Sequence, residues 1–286
     1  MRWTRTPNRS NLTCVAAAAG AGALFCPCAL SKDTELGANE LKRRTFLWSA
    51  GAALPALGAL ADSPGSSEER NALAAIALPK PKVDGGKPLL QALSERKTNR
   101  SISPEPLPTP VLSNLLWAAF GVNRPDGRRT APSAMNIQEI DVYVFLPEGV
   151  YIYDAGAHSL APVLEGDQRG KGLKAPPPPA AGAAPRPVRS SGPEPASIPV
   201  TLVYVADLDK WKAGGRRAPE LSQQTEWANA HAGFIAQNVY LFAASEGLAS
   251  SFRANVDAGA VATLLRLQPA QKALYSHLIG YPAKTS

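Results

Sequence analysis

Cysteine is scarce in this 286-residue chain, and its three cysteines (Cys14, Cys26 and Cys28) lie close to the N-terminus. The remaining residues therefore offer no disulfide bond, cysteine nucleophile or cysteine-ligated zinc site. Long hydrophobic runs are also missing. No stretch reaches the roughly 18 to 20 strongly apolar residues of a membrane span, which excludes a multi-pass membrane protein. Because 45% of the residues are nevertheless hydrophobic, a wholly disordered chain is excluded as well, and the length allows one large domain or two small ones.

Residues 41–61, LKRRTFLWSAGAALPALGALA, resemble a twin-arginine export signal. Lys42, Arg43 and Arg44 precede an alanine-rich apolar run that ends in small residues suited to a signal peptidase. The other interpretation is a basic, alanine-rich helix at the start of the fold. The export interpretation predicts cleavage after Ala61, a mature chain of 225 residues and a periplasmic or otherwise exported protein.

Residues 1–40 do not fit such a signal, because Arg2, Arg5 and Arg9 precede a second apolar run. Met1 and Met135 are the only methionines of the chain. Two interpretations therefore stay open for this segment, a misassigned translation start and a bipartite leader.

The formal net charge of +7 would favour a nucleic-acid partner if it were spread over the whole chain. After residue 61, however, 23 Lys and Arg face 20 Asp and Glu, a net charge of +3. Such a small excess over 225 residues is not the electrostatic footprint of a nucleic-acid-binding protein.

The pattern after the leader predicts one α+β domain over 88–286, preceded by a flexible lead-in at 62–87. We predict helices at 88–97, from an N-cap at Thr109 with Pro110 in the first turn to Gly121, at 223–246, and at 257–267. We predict strands at 141–146, 149–153, 200–205, 250–253 and 278–281. The helix at 223–246 is apolar on nearly every face, which is typical of a helix buried in a core or between subunits.

The stretch 174–199 contains four consecutive prolines and few large apolar residues. It cannot pack a core, so we expect a polyproline-rich surface loop inserted in the domain.

Three short segments carry candidate chemistry. RKTNR at 96–100 holds two guanidinium groups, an ammonium group and a hydroxyl, which together can bind a dianionic phosphate. PSAMNIQE at 132–139 has small residues that let a flat ligand approach its backbone, with amides at Asn136 and Gln138. IGYPAK at 279–284 is a turn that ends in a cation. Taken alone, each segment is more typical of an ordinary solvent-exposed stretch.

Together, in this order and spacing, these segments resemble the nitroreductase family of FMN flavoproteins. The resemblance runs from about residue 89 to 284 and extends through LLWAAFGVNRPDGRRTAPSAMNIQEIDVYV, GVYIYD, GDQRG and GFIAQNVYLFAASEGL. It is nearest to the branch of SagB-type and thiazole-oxidase-like dehydrogenases. It implies a three-layer α+β fold with a central, mostly antiparallel sheet flanked by helices. It also implies a homodimer with FMN at the subunit interface and the helix at 223–246 in the dimer core.

The resemblance also implies which residues bind FMN. Arg96, Lys97 and Thr98 would hold the phosphate and the ribityl chain, while Arg100 would approach the pyrimidine edge of the flavin. The isoalloxazine would be lined from the partner subunit by Pro132, Ser133, Ala134, Asn136 and Gln138. The backbone at 252–255 would complete the site together with Arg253, Gly280 and Lys284.

The implied chemistry is ping-pong hydride transfer through the flavin to a small organic acceptor, so the protein need not supply a nucleophile or a general base. A cation such as Arg100 near the flavin N1–C2 carbonyl region would raise its reduction potential. His158, His231 and His277 are interpreted as structural. No Lys-Tyr dipeptide of the azoline oxidases occurs here, which argues against thiazole or oxazole formation. Two alternatives remain open: a flavin-binding electron carrier or partner subunit without turnover, and a secreted interaction module.

Overall fold

The computed structural model describes residues 73–174, 195–213 and 217–284. The leader at 1–61, the first part of the lead-in and most of the proline-rich insertion lie outside the described residues, so the expectations for them stay predictions.

The described residues form strands and helices in an α+β arrangement, which confirms the predicted fold class. The strands β1 to β7 are Ile76–Ala77, Ile140–Leu146, Gly149–Asp154, Ser159–Glu165, Val200–Asp207, Ala249–Arg253 and Gln271–Gly280. The helices α1 to α5 are Leu89–Glu95, Thr109–Phe120, Lys210–Ala213, Leu221–Glu246 and Ala258–Leu265.

The strands pair in one antiparallel sheet of order β1-β4-β3-β2-β5-β7-β6. Successive side chains of a strand point to opposite faces, so each inner strand feeds two cores. Val142 and Val144 of β2 pack in the core that contains α2 and α4, whereas Tyr143 and Phe145 pack in the core that contains α5. The sheet is therefore the middle of three layers, as the resemblance implied.

The strand β5 lies at the centre of the sheet, between β2 and β7. Every residue from Val200 to Ala206 is buried, which confirms the prediction of a buried central strand. Continuous apolar residues are needed there because helices cover both faces.

The strand predictions were incomplete, and the short strand β1 was not among them. Ser159–Glu165 forms β4, which the sequence did not predict, and the last strand begins at Gln271 rather than at residue 278. The reason is visible in β4, where only Leu160 is buried and Pro162 interrupts the apolar alternation. Such a segment becomes a strand through its partner β3 more than through its own pattern.

The bounds of the first elements also differ from the predictions. Thr109 is the first residue of α2 and not its N-cap, a position held by Pro108 without a side-chain hydrogen bond. The helix α1 ends at Glu95 because Arg96 leaves the helical conformation. The described end of the lead-in packs on the domain, since Ile76 pairs with Leu160 of β4 and Leu78 is buried.

The helix α4 is the longest helix described and ends, as predicted, at Gly247, whose φ of 69° is left-handed. In the single chain only one side of α4 is buried, by packing on α2 and the sheet. The opposite side leaves Phe234 46% exposed. The predicted burial on nearly every face is thus only half present within one chain.

Among the helices of the described ranges, none has the length and apolar character needed to cross a membrane.

Candidate functional site

Three segments that are distant in sequence meet beside the edge strand β6. The basic segment (residues 96–100) follows α1, and the N–H of Asn99 donates to the carbonyl of Ser250 in β6 at 3.0 Å. Just beyond it, Ile102 bridges to Pro282, and the N–H of Ala283 donates to the carbonyl of Ser101 at 3.0 Å. These contacts bring the basic segment, β6 and the C-terminal residues 280–284 into one region.

Tyr240 of α4 joins two of these segments. Its hydroxyl lies 3.0 Å from Oγ1 of Thr98 and accepts the N–H of Phe252 at 2.9 Å. The guanidinium of Arg96 lies 5.4 Å from the centre of its ring, within cation–π range. Sequence reasoning missed Tyr240, because on a helix read only as apolar a tyrosine carries no signal of its own.

A first cleft of about 520 Å³ opens against the basic segment. Its lining includes Arg96, Lys97, Asn99, Tyr240 and Pro282, together with Lys87 and Glu95, which pair with each other. Lys97 is exposed, and Arg96 is half-buried at the C-cap of α1. The cleft is of a size that small-molecule sites commonly have, and its cations favour an anionic occupant.

Arg100 and Arg253 lie close enough for mutual repulsion. Burial, together with the charge of Arg100, lowers the pKa of Arg253. Among the described residues, the Arg253 side chain has one hydrogen bond, a long one of 3.4 Å from Nε to Oγ of Ser251. Within the described ranges no carboxylate forms an ion pair with either arginine. Two neighbouring cations without a counter-ion make a place where an anion is stabilised.

A buried histidine of the neighbouring strand β7 supports β6. His277 of β7 is fully buried, with Nε2 2.6 Å from Oγ of Ser250 and Nδ1 3.1 Å from the hydroxyl of Tyr204. Burial lowers the pKa of His277 to about 3, so the ring stays neutral. Its contacts agree with the structural role inferred from the sequence.

Two further predicted residues lie in the same region. Gly280 ends β7 and is buried, and a Cβ there would come within 2.6 Å of Ile102 and 2.7 Å of Pro199. Close packing therefore accounts for this glycine without any ligand. Lys284, in contrast, is exposed and available to an anion.

The amide loop (residues 132–139) lies against a second cleft of about 430 Å³, which shares no lining residue with the first. From the loop, the cleft is lined by Pro132, Ser133, Met135 and Asn136. The structure therefore separates the predicted site residues into two groups within one chain.

The amide loop has an unusual backbone. Met135, Asn136 and Gln138 have φ values of 51°, 56° and 55°. The left-handed region costs a residue with a side chain roughly 1 kcal/mol or more, so the surrounding structure must hold the loop in place.

A buried pair holds it. Glu139 is 0% exposed and His231 of α4 is 4% exposed, and Nδ1 of His231 is hydrogen-bonded to Oε1 of Glu139. Nε2 of His231 accepts the N–H of Ala134 at 2.9 Å, so the ring proton sits on Nδ1 and is donated to the carboxylate. Oγ of Ser133 donates to Oε2 of Glu139 at 3.3 Å and accepts the N–H of Gln138 at 2.8 Å.

The amide of Gln138 is also used inside the protein. Its Oε1 accepts Nε of Arg129 at 2.7 Å, and its Nε2 donates to Oδ1 of Asn136 at 2.9 Å. The expectation that Gln138 offers its amide to a flat ligand is therefore not met by this conformation. The exposed Asn136 and the loop backbone are the groups that face the cleft.

Comparisons with known proteins agree with this architecture. The sequence profile described as the nitroreductase family matches residues 93–281. A candidate nitroreductase from Methanocaldococcus jannaschii is 30% identical over 167 residues, which cover 56% of this chain and 75% of the relative. The crystal structure of a candidate nitroreductase from Ralstonia eutropha is 33% identical, with a TM-score of 0.61 over 74% of this chain and 90% of that one. The Escherichia coli microcin synthetase McbBCD complex has a TM-score of 0.53 at 19% identity, over 66% of this chain and 70% of that one, which shows likeness of fold alone.

Proposed function

Because the chain belongs to the nitroreductase family of oxidoreductases, we propose that it is an exported, homodimeric enzyme that uses FMN to pass electrons to a small organic acceptor. We also propose that the protein belongs to the branch of SagB-type and thiazole-oxidase-like dehydrogenases, which its sequence segments resemble most.

One observation carries the FMN assignment. Arg100 and Arg253 lie within electrostatic range of each other, and neither has a carboxylate partner in the described residues. Tyr240, which also acts on Arg253, contacts both Arg96 and the hydroxyl of Thr98. FMN brings a phosphate dianion and a pyrimidine edge that becomes negative on reduction, which are the charges that such a cluster stabilises. The residues present therefore fit the cofactor.

The bound cofactor would supply two-electron chemistry by accepting a hydride from a donor and delivering it to an acceptor. Arg96 and Lys97 bind the phosphate, and Thr98 orients the ribityl chain. Arg100 stabilises negative charge at the pyrimidine edge and so raises the reduction potential. The amide loop positions a planar ring, and the Glu139–His231 pair keeps that loop in shape.

The proposed dimer explains why the site residues form two groups. In this arrangement the amide loop of one protomer lies opposite the basic segment of its partner. Phe234, which is 46% exposed on the open side of α4, is a candidate contact of such an interface.

Mass identification of the released cofactor tests the central claim. The purified protein should be yellow and release FMN, and Arg96→Ala and Asn136→Ala should each weaken FMN retention. Lys272→Gln is the matched control, because this exposed lysine lines neither cleft. A colourless protein that takes up no FMN on reconstitution would exclude the proposal, and unchanged occupancy in both variants would exclude the assigned pocket.

Turnover separates an enzyme from an electron carrier. Quinones or nitroaromatics should reoxidise the reduced holoprotein fast enough to allow repeated turnover. A flavin that no acceptor reoxidises would favour a carrier without turnover.

Export is tested separately. Replacing Arg43 and Arg44 by lysine should retain the precursor in the cytoplasm if the twin-arginine route is used. N-terminal sequencing of the exported form should begin at Asp62.

A further inference from the structure

A tight turn before the amide loop gathers three arginines. The backbone of Val122 pairs with that of Arg129, and the N–H of Asn123 donates to the carbonyl of Arg128 at 3.1 Å. Gly127 closes the turn with a φ of 77°, which a residue with a side chain rarely adopts. The turn thus places Arg124 on one arm, and Arg128 and Arg129 on the other.

Each guanidinium is held by neighbouring groups of the turn or of the elements beside it. Nη2 of Arg124 donates to the carbonyl of Arg129 at 3.1 Å, and its Nε donates to Oδ1 of Asn123 at 3.0 Å. Arg129 lies 4.4 Å above the centre of the Phe120 ring and donates to Gln138. Arg128 stays exposed and pairs with Asp126 at 3.1 Å. The bonds restrain these side chains and leave several of their N–H groups for a ligand.

The charge of the second cleft has one sign. Arg124, Arg128 and Arg129 line it, and no Asp or Glu of the described residues does, although Asp141 and Asp154 act on Arg129 from nearby. Asp126, which pairs with Arg128, offsets one of the three charges. Fixed guanidinium groups bind planar anions through paired hydrogen bonds.

We propose that this second cleft is the acceptor site and that it selects acceptors carrying a carboxylate, sulfonate or phosphate group. The inference rests on the proposed function, because it assigns the substrate class of the same site. The cleft is lined both by residues of the amide loop, which the proposed function assigns to the flavin ring, and by the three arginines. In this inference the ring of the acceptor lies toward the loop, and its anionic group binds to the arginines. The cleft contributes binding and orientation, and the electrons come from the reduced cofactor.

The test compares a naphthoquinone sulfonate with the uncharged naphthoquinone. Holoprotein reduced with dithionite is mixed with each quinone, and reoxidation is followed by stopped flow, so that an anionic nucleotide donor does not interfere. The variants are Arg124→Gln, Arg128→Gln and the double change, with Lys272→Gln as control. We expect the native protein to be reoxidised faster by the sulfonate than by the uncharged quinone. The ratio of these two rates should fall about tenfold in the double variant. The rate with the uncharged quinone should change less than about twofold, and high salt should weaken the preference.

A binding measurement keeps this test independent of turnover. Naphthalene sulfonate, which accepts no electrons, is titrated calorimetrically into the protein with and without FMN. Weaker binding to the double variant than to Lys272→Gln supports the cleft even if no flavin is found and the proposed function fails. Equal binding to all variants, or a sulfonate preference that survives the double change, overturns the inference.

Discussion

The basic segment and the amide loop both carry residues expected at the cofactor, yet they are built in opposite ways. In the amide loop three residues are left-handed, and the polar groups of Ser133, Ala134 and Gln138 are bonded inside the protein. In the basic segment Lys97, Thr98 and Arg100 are exposed, and the segment is tied down by few bonds. The loop is therefore shaped before any ligand arrives, whereas the cations can adjust to the ligand they bind.

The largest expected effect comes from breaking the support of the loop. His231→Ala leaves the Glu139 carboxylate buried without its partner, which should cost about 3 to 5 kcal/mol in the free energy of unfolding. Urea unfolding measures this loss, and Glu148→Gln, at an exposed turn, is the matched control with a change below about 0.5 kcal/mol.

The double change Glu139→Leu and His231→Leu sharpens the same point. Because it removes the charge along with its partner, it should destabilise less than His231→Ala alone. If the free energy of unfolding of His231→Ala lies within about 1 kcal/mol of that of the native protein, the loop does not depend on this pair.

The second-largest expected effect depends on pH and concerns His277, which supports strand β6 beside the basic segment. The pKa of His277 is lowered to about 3 in the folded protein, against about 6.5 for an unfolded chain. Between these values the unfolded state binds more protons, so stability falls as the pH falls, by up to about 1.4 kcal/mol per pH unit. Unfolding titrations from pH 7 to pH 4 should show a smaller slope for His277→Gln. An unaltered slope would contradict the buried, neutral ring.

A third change tests the packing that brings the basic segment to the end of the last strand. In Gly280→Ala the new methyl group meets Ile102 and Pro199, so we expect a loss of about 2 kcal/mol. The matched control is Gly259→Ala, where the added Cβ comes no closer than 3.6 Å to a neighbour. Equal stability of the two variants would show that the end of β7 has room that the structure does not indicate.

The smallest expected effect concerns Tyr240. Tyr240→Phe removes the bonds to Thr98 and to the N–H of Phe252, which should cost about 1 kcal/mol and loosen the basic segment. FMN affinity and thermal unfolding measure the two consequences. Tyr275→Phe is the control, because its hydroxyl makes no side-chain hydrogen bond in the described residues. If both variants retain FMN equally well, Tyr240 does not organise the segment.

The sequence predicted those parts of the fold whose signals are local. Helix α4 was recognised by its apolar length and by Gly247, and the β2–β3 hairpin by the turn at Pro147 and Glu148. Strand β4 was missed because its strand state depends on pairing with β3.

In the candidate site, too, the sequence predicted the residues with a local signal and missed those that depend on tertiary packing. The basic segment could be identified because three cations fall within five residues, and the structure does bring it to β6. The Glu139–His231 pair could not be identified, because its members are 92 positions apart in the sequence. Glu139 ends the segment at 132–139, but nothing in that segment points to a partner on α4. Buried support is set by tertiary packing and leaves no short motif to find.

The bonds that position the basic segment also protect the sheet. In β6, the carbonyl of Ser250 and the N–H of Phe252 point away from β7, and Asn99 and Tyr240 occupy them. An open strand edge is a template for pairing with other chains, and here two of its outward backbone groups are already bonded. Variants that loosen residues 96–100 should therefore lose solubility as well as affinity, because they uncover an edge that can start aggregation.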